Sequence, residues 1–173
     1  MACTLTTGRS LPCKTGFGGV KKVYFADYGT LGAVTVNADG TIDAIAGSPV
    51  WFEYDVKGNS SLESSINSSR ENGTTFYAQT LNLTLPYLDA ATQHQIQLLA
   101  VSRPHLVVED YLGNQFLCGL ENGVECTGGS VVTGAAAGDL YGFTLTFEGQ
   151  EETAPAFIDA GLITASATQI TPN

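Results

Sequence analysis

The side chains capable of chemistry are few, and their spacing limits what they can do. Cys3, Cys13, Cys118 and Cys126 form no C-x-x-C pair, the thiolate spacing that would hold zinc. In a reducing compartment they are free thiols, and Cys118 in the apolar run QFLCGL reads as a small core residue. His94 and His105 flank one segment with no second His or carboxylate at ligand spacing, so no metal site is expected. Glu109-Asp110 and Glu151-Glu152 are adjacent pairs. Strand neighbours point to opposite faces, so neither pair can act as acid and base on one bond, and both read as solvated charge. No G-x-S-x-G elbow, H-E-x-x-H helix or EF-hand loop occurs. Gly16, Gly18 and Gly19 lack the preceding strand and the GK[ST] ending of a phosphate loop. The expectation is a protein that is not an enzyme and uses no cofactor.

Charge says more than motif. The chain has 173 residues and a net charge of −10, and all seven basic residues lie at or before Arg103. From Pro104 onward there are nine carboxylates (Glu109, Asp110, Glu121, Glu125, Asp139, Glu148, Glu151, Glu152, Asp159) and no Lys or Arg. Such a surface repels phosphate and disfavours nucleic-acid affinity by counterion release. The plainer alternative is that the acidity maintains solubility. With 43% hydrophobic residues, the chain is long enough for one core and short for two. No apolar run approaches the roughly 20 residues of a membrane helix, and Arg9 and Lys14 interrupt any export signal, so cytosolic synthesis is expected.

The elements that must position these groups are mostly strands. Residues 1–19 read as an extended arm. KKVYFAD at Lys21–Asp27 and LGAVTVN at Leu31–Asn37 are expected to pair across Tyr28–Thr30, and Asp39-Gly40 to make a type I′ hairpin into Thr41–Ala46. Val50–Lys57 should bury Phe52, Tyr54 and Val56 and expose Trp51, Glu53 and Asp55. Leu62–Arg70 and Thr74–Leu85 follow, joined by Asn72-Gly73. The second of these alternates so that Tyr77, Leu81, Leu83 and Leu85 share one side. Fully extended it is about 40 Å long, so it bends or projects beyond a small core. Asp89 caps the one helix, Ala90–Ser102, whose narrow stripe holds Thr92, Ile96 and Leu99 with Ala91 and Leu98; Arg103 suits its negative end and Pro104 stops it. His105–Leu112 and Gln115–Leu120 form a hairpin with a two-residue II′ loop at Gly113-Asn114. Glu121–Gly138 reads as loop, and Asp139–Gly149 as a strand with Tyr141, Phe143, Leu145 and Phe147 inward. Phe157–Pro172 is a tail, mobile or an added edge strand. Sequons beginning at Asn59, Asn67, Asn72 and Asn82 read as strand surface, and the strand aromatics as core or interface rather than a sugar groove.

Three segments carry a family resemblance: GGVKKVYFADYG at 18–29, ENGTTFYAQTLNLTLPYLDAATQHQIQLLAVSRPHLVVEDYLGNQFLCGLENG at 71–123, and TGAAAGDLYGFTLTFEGQEETAPAFI at 133–158. Together with the order of arm, β-rich body, one helix and acidic strands, they resemble the tail tube proteins of tailed bacteriophages. The resemblance implies a mainly β fold, a β-sandwich or barrel of antiparallel strands with one flanking helix at about 89–102. It also implies an arm at 1–19, a single domain at 20–158 and an extension at 159–173. It further implies a virion structural protein, assembled in the host cytoplasm into six-fold rings that stack into a conduit for the genome. The partners would be other copies of the chain, tail proteins such as tape measure, terminator or neck, possibly a sheath, and DNA that passes without specific binding; no membrane is involved. The candidate lumen carboxylates are Glu109, Asp110, Glu121, Glu125, Asp139 and Glu148. The alternatives are a neck or tail-end ring of the same fold, or a capsid-decorating or carbohydrate-binding β-domain.

Overall fold

Alternating apolar residues along β-branched segments generate two sheets and leave room for one helix. The computed structural model describes residues 5, 7–56, 59–159, 161–163 and 169. In chain order the elements are β1 (Val20–Ala26), β2 (Val34–Val36), β3 (Ile42–Ile45), β4 (Phe52–Asp55), β5 (Ser61–Ser69), β6 (Thr74–Pro86), α1 (Ala90–Val101), β7 (His105–Asp110), β8 (Gln115–Cys118), β9 (Glu125–Val132), β10 (Gly142–Glu151) and β11 (Ala156–Ile158). A seven-stranded sheet runs β2-β3-β11-β8-β7-β1-β4, and a four-stranded sheet runs β5-β6-β10-β9. The smaller sheet is antiparallel throughout. The larger one departs from the all-antiparallel expectation at a single pair, where β11 lies parallel to β3. The chain is a mainly β sandwich with one helix.

The core lies between the sheets. Leu81 and Leu83 of β6 and Phe143 and Phe147 of β10 meet Val23 and Phe25 of β1 and Leu106 and Val108 of β7. Phe25 sits 5.1 Å from Phe147 and edge-on to Tyr54 at 5.3 Å, ring geometries that satisfy the aromatic quadrupoles. A second cluster covers the outer face of the larger sheet, where Leu31, Trp51 and Ile163 lie with Tyr24, Ala26, Val107, Leu117, Ile42 and Ile158. Apolar side chains on both faces explain why Val23–Ala26 and His105–Val108 are buried without interruption.

Several sequence expectations are corrected. β1 does not pair with the segment that follows it. It lies between β7 and β4, while the chain crosses the second face with Leu31 buried and places β2 against β3 at the far edge. The Asp39-Gly40 hairpin is present but is not type I′. Only Gly40 has positive φ (+85°), its N–H donates to Asn37 O at 3.0 Å, and the register shifts between Thr35 and Val36, so the loop is a wider turn closed by a bulge. The second hairpin likewise turns over Asp110–Gly113 rather than at Gly113-Asn114. Gly113 is at φ +86° and donates to Asp110 O at 3.2 Å. Along Val50–Lys57 the expectation holds in part: Val56 is buried in the main core and Tyr54 packs against it, but Phe52, on the edge strand, is 39% exposed, and Trp51 on the opposite face is buried in the second cluster.

The segment 121–138 is not all loop, because ECTGGSVV forms β9 along β10. Of its two glycines Gly129 serves close approach, since a Cβ there would stand 2.6 Å from Thr144 O. β10 begins at Gly142 and leaves Tyr141 47% exposed. β11 is an interior strand between β3 and β8; Ile163 is buried beyond it, and the rest of the expected tail lies largely outside the described residues. Asp89 caps α1 as expected, accepting from Ala91 N and Thr92 N at 3.1 Å. Only Ile96 of the stripe is buried, Leu98 is 49% exposed, and Arg103 lies with its guanidinium carbon 4.0 Å above Tyr28 instead of serving the last helical turn.

Candidate functional site

The face of the four-stranded sheet turned away from the core is built by the period of two in its strands. When Leu81, Leu83 and Leu85 point inward, Thr80, Asn82 and Thr84 must point outward, and β10 sets Thr144, Thr146 and Glu148 beside them. β5 adds Ser61, Glu63 and Ser65 through the register Glu63↔Thr80. β9 adds Ser130 opposite Thr144 and Glu125 opposite Glu148. One row therefore crosses the sheet as Glu63, Thr80, Glu148, Glu125, and all three carboxylates are exposed.

Hydroxyls and amides on this face bond to one another. Ser130 Oγ and Thr144 Oγ1 are 2.6 Å apart, Thr146 Oγ1 donates to Asn82 Oδ1 at 3.1 Å, and Thr84 Oγ1 donates to Asn59 O at 2.9 Å. None of the four strands contains a Lys or Arg. Chemically the face is wet and hydroxyl-rich, carries negative charge and holds no cation of its own. It hydrates well and offers phosphate no positive charge to bind.

Of the six carboxylates singled out from the sequence, the fold brings Glu125 and Glu148 together here and sends the other four elsewhere. Glu109 accepts Tyr24 OH at 3.1 Å and Gln115 Nε2 at 3.1 Å, with Lys21 Nζ at 3.5 Å. Asp110 organises the β7–β8 turn by accepting the amides of Leu112 and Asn114 at 2.9 and 2.8 Å. Asp139 closes the loop before β10, accepting Ala136 N at 2.8 Å and Ala135 N at 2.9 Å, bonds that hold its carboxyl below the usual range. Glu121 is exposed at the sandwich end. Glu63, which completes the row, escaped sequence reasoning. Its place beside Ser61 and Ser65 in LESSINSSR was visible, but its alignment with Glu148 depends on β6–β10 pairing across distant sequence.

The strand that carries Glu125 is fixed by a polar knot. Glu151, expected to be solvated, is only 3% exposed and accepts the N–H groups of Asn122 at 2.8 Å and Glu121 at 3.2 Å. Burial nonetheless raises its pKa, more strongly than those two bonds lower it. Gln79 accepts Gly119 N at 2.9 Å, and His105 links Gly119 O (2.6 Å from Nδ1) to Gly29 N, which donates to Nε2 at 3.0 Å. With Nε2 accepting, Nδ1 carries the proton, so the ring is neutral. Burial pushes its pKa down; the Gly119 bond opposes that shift and the Arg103 charge adds to it. Tyr28 stacks on His105 at 5.1 Å and donates to Glu121 O at 2.6 Å. Comparison with protein-family profiles, with curated proteins and with solved structures finds no match to this chain.

Proposed function

We propose that the chain is a tail tube subunit of the kind found in tailed bacteriophages, forming hexameric rings that stack around a lumen through which the genome passes. The observation that carries this reading is the cation-free outer face of the four-stranded sheet, with Glu63, Glu148 and Glu125 in one row. Lining a conduit, such a wall repels phosphates and binds no base, so the polymer slides instead of adhering. The sheet is also suited to ring closure. Its edges are β5 and β9, and because its four strands alternate in direction, β9 of one copy runs antiparallel to β5 of the next. That contact is heterologous, and it closes a ring without leaving a free edge.

Stacking needs a second contact. The β5–β6 hairpin outruns the sheet: β10 pairs with β6 only as far as Tyr77, while β5 and β6 continue to Ser69 and Thr74. Phe76 is 36% exposed on this projection and Ile66 66% at its base, which favours docking against an adjacent ring.

The charge claim is testable with the triple variant Glu63→Lys, Glu125→Lys, Glu148→Lys. Tubes of this variant are expected to retain linear duplex DNA at low salt and release it as salt rises, whereas tubes of the parent chain retain none. Equal retention by both would contradict the proposed lumen lining.

A further inference from the structure

Protein interiors pack like organic crystals, and the side of the sandwich next to β5 departs from that. A cleft of about 390 Å³ opens between the sheets there, with Val20, Val108 and Phe116 on one wall, Leu62 on the other, and Asp110 and Ser64 at the rim. Val20 and Val108 belong to the main core, so the cleft reaches the edge of that core while both stay buried.

The same end of the molecule holds an exposed arm with isolated apolar side chains. Leu5 is 100% and Leu11 97% exposed, and residues 7–19 are exposed throughout. The arm is anchored at its root, where Phe17 packs edge-on against Tyr111 at 5.1 Å, and from there it leads outward. Its charge complements the body. It carries Arg9 and Lys14 and none of the 17 carboxylates of the chain.

We propose that the cleft beside β5 receives the arm of a second copy of this chain, with Leu11 and Pro12 covering the apolar walls and Arg9 and Lys14 lying toward Asp110 at the rim. The inference rests on the assembly reading above and extends it, since it names the segment and the cleft that join one copy to the next. The occupant is a second copy rather than the arm's own body because the arm starts at the cleft itself, at Gly19, and its residues 7–18 are exposed and take no part in the cleft lining.

The test uses the full chain with p-benzoylphenylalanine in place of Leu11. Copies labelled with ¹⁴N and ¹⁵N are mixed in equal amounts before assembly, irradiated, digested and analysed by mass spectrometry. The expected result is a residue-11 peptide joined to the peptides of Leu62–Ser64 or Phe116, with mixed-label pairs as frequent as same-label ones. Ser64→Phe, which fills the cleft from an exposed position, is expected to lower that yield at least several-fold. Exclusively same-label pairs, showing an arm folded onto its own body, or no crosslink into the cleft would overturn the inference. Tubes that form without cleft crosslinks would remove the arm contact and leave the tube reading intact; mixed-label crosslinks confined to single rings would do the reverse.

Discussion

Glu125 and Glu148 face each other across β9 and β10 with no cation on any strand of their sheet. Like charges directly opposite on a strand pair destabilise it, and an opposite pair contributes about 0.2–1 kcal/mol. Glu125→Lys is therefore expected to raise the denaturant midpoint by a stability gain within that range while adding a positive charge to the wall; a lower midpoint would count against the register. The knot behind this strand is sensitive in the other direction. Glu151→Ala strands the amides of Glu121 and Asn122 and is expected to cost about 1–3 kcal/mol in equilibrium unfolding. His105 sets a pH limit. Because burial lowers its folded pKa, the unfolded chain takes up the proton first on acidification. The stability contributed by the neutral ring is complete above the unfolded value of about 6.5 and is lost as pH falls through it toward the folded value. Melting temperatures should drop across that window, and His105→Asn should flatten this part of the profile; an unchanged slope in the variant would refute the assignment.

At the scale of elements, β9 shows most clearly what local sequence hides. ECTGGSVV contains the paired glycines that ordinarily signal a turn, yet it pairs with β10 from Glu125 to Val132 because Gly129 admits the Thr144 carbonyl at a distance no side chain allows. Gly129→Val is expected to detach this edge, costing about 1–3 kcal/mol as overpacking does, with faster amide exchange in Glu125–Val132 than in β6. β6 and α1 were legible because their signals are local: alternation from Tyr77 to Leu85, and Asp89 before a helical stretch ended by Pro104. Strand order was not legible. The separation of β1 from β2, the burial of Trp51 and the insertion of β11 beside β3 all follow from the second apolar cluster, which forms only when distant segments meet. The candidate site was legible in part for the same reason. Acidity placed Glu125 and Glu148 among the candidates, but only pairing across three strand boundaries separates them from Glu109, Asp110, Glu121 and Asp139 and brings in Glu63.

For the whole molecule, the distribution of charge and edges matters more than any single residue. Among the described residues the cations lie on the arm, on β1, in the β5–β6 turn and beside Tyr28, while the strands of the smaller sheet have none and the sheet ends in two open strands, β5 and β9. An exposed strand edge is an invitation to pair with another chain, and here the edges sit on either side of a wall that rejects phosphate. Because like charges on adjoining copies repel within a Debye length of roughly 10 Å at 0.1 M salt, assembly should be promoted by raising ionic strength, followed as light scattering against salt; assembly favoured by low salt would contradict it. Negative-stain microscopy of the purified full-length protein tests the central claim most directly. Hollow tubes of stacked rings with six-fold end views are expected, and a protein that stays monomeric at high concentration and high salt would contradict the account.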